Sequence, residues 1–112
     1  MNDEILLAFS TFPDIETARR IARELVTEEF VACASILPEV ESIYRWQGKL
    51  EEGRETLVLF KLSASRYSAF ETKLRSLHPY EVPEIVSCRI DRALPEYLRW
   101  VIENSGPGTR LV

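Results

Sequence analysis

Few side chains in this sequence can do chemistry, and they are spaced far apart. Cys33 lies between Ala32 and Ala34. A free cysteine packs as a small hydrophobe, and its sulfur is also a soft donor suited to Cu(I) or Hg(II). One sulfur cannot hold copper tightly, so further donors must come from elsewhere, including another copy of the chain. Cys88 sits in a similar setting and reads as structural. His78 is the only histidine and stands at the end of a helical pattern. There it is either a cationic cap favoured by the helix dipole or a ligand or base helped by Tyr80 and Glu84. Lys61, between Phe60 and Leu62, shares a strand face with Leu57 and Leu59. A lysine on such a face snorkels or meets an anion, and Glu84 is the candidate partner within the chain. Trp46, near a turn, is expected at an interface, and Trp100 with Tyr97 in the packing of a C-terminal helix.

What is missing narrows the field. There is no paired-cysteine motif, no glycine-rich phosphate loop, no HExxH and no G-x-S-x-G. Fourteen Lys plus Arg against eighteen Asp plus Glu leave a net charge of -4, which disfavours a nucleic-acid partner. Met1-Asn2-Asp3-Glu4 carries no positive region and the apolar run Ile5–Phe9 is short, so neither a signal peptide nor a membrane span is expected. Two cysteines are too few for a disulfide scaffold, which points to a cytoplasmic protein with reduced thiols.

The elements that position these residues follow from periodicity. At 112 residues the chain makes one domain, without repeats, and the Gly/Pro-rich stretch from Asn104 to Val112 reads as a tail. Glu4 to Phe12 reads as a buried strand. Asp14 can cap a helix that runs to about Glu29, with Ile15, Ala18, Ala22, Leu25 and Val26 on its apolar face. Val31 to Leu37 and Ser42 to Trp46 have strand character, with Pro38 marking a bulge or edge between them. Gln47-Gly48-Lys49 reads as a hairpin turn, and Glu55 to Leu62 as the return strand, with Glu51, Glu52 and Glu55 as a solvated start. Ser65 is the expected cap of a second helix built on Tyr67, Phe70, Leu74 and Leu77, which stops at His78-Pro79. A last strand, Ile85 to Ile90, and a short helix opened by Pro95 complete the chain.

The order β-α-β-β-α-β plus a helix predicts an α+β, ferredoxin-like antiparallel sheet with both main helices on one face. The hairpin arms are longer than the ~5–6 residues usual for strands. Three copies that pack their sheet faces and share the overhanging hairpins would cover the second face, so a homotrimer is expected.

Taken in order, Ala32-Cys33-Ala34, the segment Ser42 to Glu51, Lys61, His78-Pro79-Tyr80, Pro83-Glu84 and Tyr97-Leu98-Arg99-Trp100 closely resemble the CutA divalent-cation tolerance family. The resemblance covers about Thr11 to Trp100. It implies a cytoplasmic homotrimer, similar in architecture to PII signalling proteins, that acts in tolerance to copper and other divalent metals without an obligatory cofactor and without turnover. It also implies copper or mercury binding at Cys33, while His78 is a second candidate metal ligand on its own chemistry. The cleft between subunits would be lined by Cys33, Lys61, His78, Tyr80 and Glu84, with Trp46 nearby. The alternative function on the same residues is a small enzyme or signalling trimer that binds an anionic small molecule at Lys61.

Overall fold

Alternation in the first strand decides which way the sheet faces. The computed structural model describes residues 4–106, and within it β1 (Ile5–Phe12) buries Leu6, Ala8, Ser10 and Phe12 on one face. Leu7, Phe9 and Thr11 stay half-buried on the other. Asp14 then caps α1 (Ile15–Thr27), its Oδ1 accepting from the Thr17 amide at 2.8 Å. That hydrogen bond holds the Asp14 carboxyl below its usual range. The buried stripe of α1 is Ala18, Ile21, Ala22 and Leu25. Ile21 thus takes the place expected for Val26, which lies outside this stripe and is exposed.

The hairpin is longer than the charged sequence suggests. β2 (Cys33–Trp46) is continuous, with a bulge between Leu37 and Val40 at the position of Pro38. Thr56 Oγ1 donates to the Pro38 carbonyl at 3.0 Å, which takes up an acceptor freed by the bulge. β3 (Lys49–Ser63) starts at Lys49 rather than Glu55. The turn between the arms places Gln47 at φ 50° and Gly48 at φ 80°, the pair of positive values that a two-residue hairpin turn demands. These arms stretch the molecule to 50 Å along one axis against 26 and 23 Å on the others.

Ser65 does not cap a helix. It lies within a 3-10 turn (Ala64–Arg66), where its hydroxyl meets Ser63 Oγ at 3.0 Å, and α2 (Tyr67–Leu77) follows. Pro79 forces His78 into extended backbone, ψ 135°, and the helix ends there. β4 (Val86–Arg89) is a short edge strand, and α3 (Pro95–Glu103) opens at its proline. The expected tail starts too early. Ser105 is buried, its hydroxyl bound to the Val101 carbonyl, and Gly106 sits against Arg66. Residues 107–112 of that expected tail lie outside the described residues.

The four strands form one antiparallel sheet in the order β2-β3-β1-β4. The helices α1 and α2 pack on one face around Phe12, Ile21, Leu25, Phe60, Phe70 and Leu74, with Phe60 edge-on to Phe70 at 5.2 Å. This is the ferredoxin-like α+β arrangement. On the opposite face α3 covers only the end near Ile5, Ala32 and Val101. The rest of that face carries Leu7, Phe9, Leu57 and Leu59, with Leu37 and Val86 exposed at its margins.

Candidate functional site

Sheet register brings the first group together. Cys33 pairs with Lys61 across β2 and β3, and Lys61 pairs with Leu7, which pairs in turn with Cys88. The row Cys33, Lys61, Leu7, Cys88 therefore crosses the whole open face. Lys61 Nζ donates to Cys33 Sγ at 3.6 Å, and Tyr97 Oη lies 3.7 Å from the same sulfur. Burial opposes the charge on Lys61, but Cys33 and Tyr97 outweigh it and raise the lysine above its ordinary value. Burial and then the sulfur push the Tyr97 phenol up. Tyr97 also stacks on Trp100 at 5.6 Å. Sequence reasoning assigns Tyr97 to packing alone. Its contact with Cys33 spans 64 residues and depends on how α3 crosses the sheet, which no local pattern encodes.

The second group lies at the other end of β1. His78 is 9% exposed and stacks on Phe12 with centroids 4.6 Å apart. The Tyr80 amide donates to His78 Nδ1 at 3.2 Å, so the ring proton sits on Nε2. From there it is donated to the Thr11 carbonyl at 2.9 Å, with Ser10 Oγ at 3.2 Å. Burial lowers the His78 pKa below its ordinary value, against smaller opposing effects of the Thr11 carbonyl and Glu55. The imidazole is therefore neutral at pH 7, not the cationic helix cap that the dipole would favour. Both ring nitrogens are engaged, so in this arrangement His78 has no lone pair to offer a metal. Tyr80 Oη donates to Glu55 Oε2 at 2.6 Å, and burial with Glu55 pushes the phenol well above its ordinary value. Glu55, read from sequence as a solvated strand start, is thus the anchor of the loop after α2.

Trp46 and Glu84 belong to neither group. They line a cleft of about 750 Å³ between the hairpin and the 79–84 loop, together with Tyr44, Tyr80, Glu41, Glu55 and Glu81. Four carboxylates face this space, and among the described residues no Lys, Arg or His lines it. Glu84 consequently does not meet Lys61. Within one protomer the expected site residues lie in separate places: Lys61 pairs with Leu7, and the Thr11 end lies four residues along the strand, roughly 13 Å away. Among the described residues no three His, Cys, Asp or Glu side chains converge as a metal site. No described helix is long and apolar enough to cross a membrane.

Comparison with known proteins places this geometry. Residues 6–104 match the profile of the family described as CutA1 divalent ion tolerance protein. A Xenopus laevis protein described as a CutA homolog is 45% identical over 94 residues, 84% of this chain; the match covers 62% of the relative's length. The solved divalent cation tolerance protein of Thermus thermophilus superposes with a TM-score of 0.88 at 42% identity, covering 91% of this chain and 99% of that one. A structure described as the periplasmic divalent cation tolerance protein CutA of Archaeoglobus fulgidus superposes at 0.87 with 28% identity, over 91% of this chain and 99% of that one. The chain belongs to the CutA1 divalent ion tolerance family.

Proposed function

We propose that the protein serves in divalent-metal tolerance as a homotrimer that captures a soft cation at Cys33, by binding and without turnover. The observation that carries this reading is the half-buried Cys33 on an open, largely apolar sheet face, its sulfur within hydrogen-bond reach of Lys61 and Tyr97. A thiol suits Cu(I) among the cations such a protein meets. One protomer supplies too few donors, so the reading requires a second copy across the same face. The exposed Leu37 and Val86 and the half-buried Leu7, Phe9, Leu57 and Leu59 favour such packing. Lys61 competes with the cation for the sulfur, so uptake must displace its ammonium. No part of the His78 network is needed for binding, which accords with a binding protein whose histidine maintains the fold.

Titration of Cu(I) into the wild type and a Cys33→Ser variant tests the proposal. Loss of one site per chain in the variant is expected, while equal stoichiometry and affinity contradict it. The free thiols of Cys33 and Cys88 favour a reducing, cytoplasmic setting, in contrast to the description of the Archaeoglobus fulgidus relative. Cell fractionation against a periplasmic marker decides that point.

A further inference from the structure

Cys33 faces Lys61 directly across β2 and β3, and the Ala32 amide, donating to the Lys61 carbonyl at 2.8 Å, pins the two strands beside them. Both side chains are half-buried, and Lys61 Nζ donates to Cys33 Sγ at 3.6 Å. The Tyr97 phenol lies 3.7 Å from the same sulfur and carries no nitrogen. The second thiol of the chain is remote. Cys88 stands three strand spacings away along the row Cys33, Lys61, Leu7, Cys88, which is roughly 14 Å. A disulfide requires Cα atoms within about 7 Å, so Cys33 and Cys88 of one chain cannot join. Peroxide converts a cysteine to a sulfenic acid, which condenses with a nearby thiol or nitrogen to a reversible product and otherwise proceeds to irreversible sulfinic acid. At Cys33 the amine of Lys61 is within reach and the second thiol is not.

We propose that Cys33 and Lys61 form a modification site at which hydrogen peroxide joins the two side chains through a sulfur–nitrogen bond, a reversible sulfenamide. The reactants are the Cys33 thiolate and the Lys61 ammonium. The thiolate attacks one peroxide oxygen; the S–O bond forms, the O–O bond breaks, and the departing hydroxide takes a proton from the ammonium to become water. The freed amine then attacks the sulfur. The S–N bond forms, the S–O bond breaks, and the second hydroxide leaves as water with a proton from the nitrogen. One peroxide is reduced to two waters while the sulfur gives up two electrons. Rotation about the flexible lysine stem closes the 3.6 Å gap with the strands in place. The bridge shields the sulfur from further oxidation, and an external thiol reopens it by attack at sulfur. The site needs no metal and stands apart from cation capture at Cys33.

Mass spectrometry of the full, metal-free chain after a small excess of hydrogen peroxide tests it. The single-chain mass should fall by two hydrogens, and a non-reducing digest should yield the Cys33 and Lys61 peptides joined. Dithiothreitol should release both unmodified. A Cys88→Ser chain should behave in the same way. Lys61→Arg keeps the charge but replaces the amine, so its Cys33 should advance to sulfinic acid; circular dichroism confirms that both variants are folded. A joined pair carrying an additional oxygen would mean an S–O–N linkage, and the same mass loss without a joined pair would mean a ring on the backbone amide. Either result overturns the sulfenamide. So does a Cys33 disulfide between copies, sulfinic acid at Cys33 with Lys61 free in the wild type, or no reaction at all.

Discussion

The two ends of β1 hold polar groups of similar type in opposite conditions. At the Thr11 end, His78, Tyr80 and Glu55 satisfy one another: both imidazole nitrogens are bound, the phenol is bound, and Phe12 closes the ring face. At the Leu7 end, Cys33, Lys61 and Tyr97 touch at 3.6 and 3.7 Å on a face that the chain covers only in part. A closed network contributes stability and resists a ligand, because any new bond must break an old one. A loose cluster on an uncovered face can accept a ligand at little structural cost. The lone histidine, which sequence leaves open between a helix cap and a ligand or base, belongs to the closed end.

The largest effect should come from opening that end. Phe12→Ala removes a fully buried ring that also supports His78, and it should cost about 3–5 kcal/mol in urea unfolding. Cu(I) stoichiometry of the folded variant should not change. A change in stoichiometry would mean that the two ends are not independent.

Next is His78→Phe, which keeps a flat ring on Phe12 but gives up the bonds to Thr11 and Tyr80. About 1–2 kcal/mol should be lost at neutral pH. The pH dependence carries a sign. Because the folded pKa lies below the ordinary 6.5, the unfolded chain takes up the proton first as pH falls. The His78 contribution is therefore complete above about pH 6.5 and declines below it. The difference between wild type and variant should shrink as pH is lowered from 7 toward 5. A constant difference would show that His78 is not held neutral.

The smallest expected effect belongs to the open end and runs the other way. Lys61→Met removes the cation that competes for the Cys33 sulfur, and Cu(I) affinity should rise several-fold while stability moves by less than about 1 kcal/mol. Weaker Cu(I) binding in this variant would instead make Lys61 part of the binding site.

The balance of what sequence can and cannot disclose follows the same division. Asp14 as a cap, the Gln47-Gly48 turn and the stop at His78-Pro79 are legible because each depends on the dihedral or hydrogen-bonding habits of one or two residues. The order of elements, and with it the fold, follows from those marks and from strand alternation. The first part of β3 is not legible: Lys49 to Arg54 is charged and includes Gly53, and it becomes strand only because β2 offers a continuous partner from Trp46 to Glu41. Ser65 has the right residue type for a cap, yet Ser63 and a 3-10 turn occupy that corner.

At the site, alternation correctly puts Lys61 with Leu57 and Leu59, and cross-strand register sets it beside Cys33. Tyr97 and Glu55 could not be found this way, since each reaches its partner through a crossing of elements far apart in the chain. The same limit explains why charge alone matches Glu84 to Lys61. Opposite charge supplies a reason to meet, and the fold puts them in different places.

Competition titration of Cu(I) against a chromogenic chelator, repeated across a dilution series monitored by light scattering, bears most directly on the central claim. The proposed function predicts that tight binding at Cys33 disappears in step with dissociation of the proposed homotrimer. Undiminished tight binding to a folded monomer would contradict it.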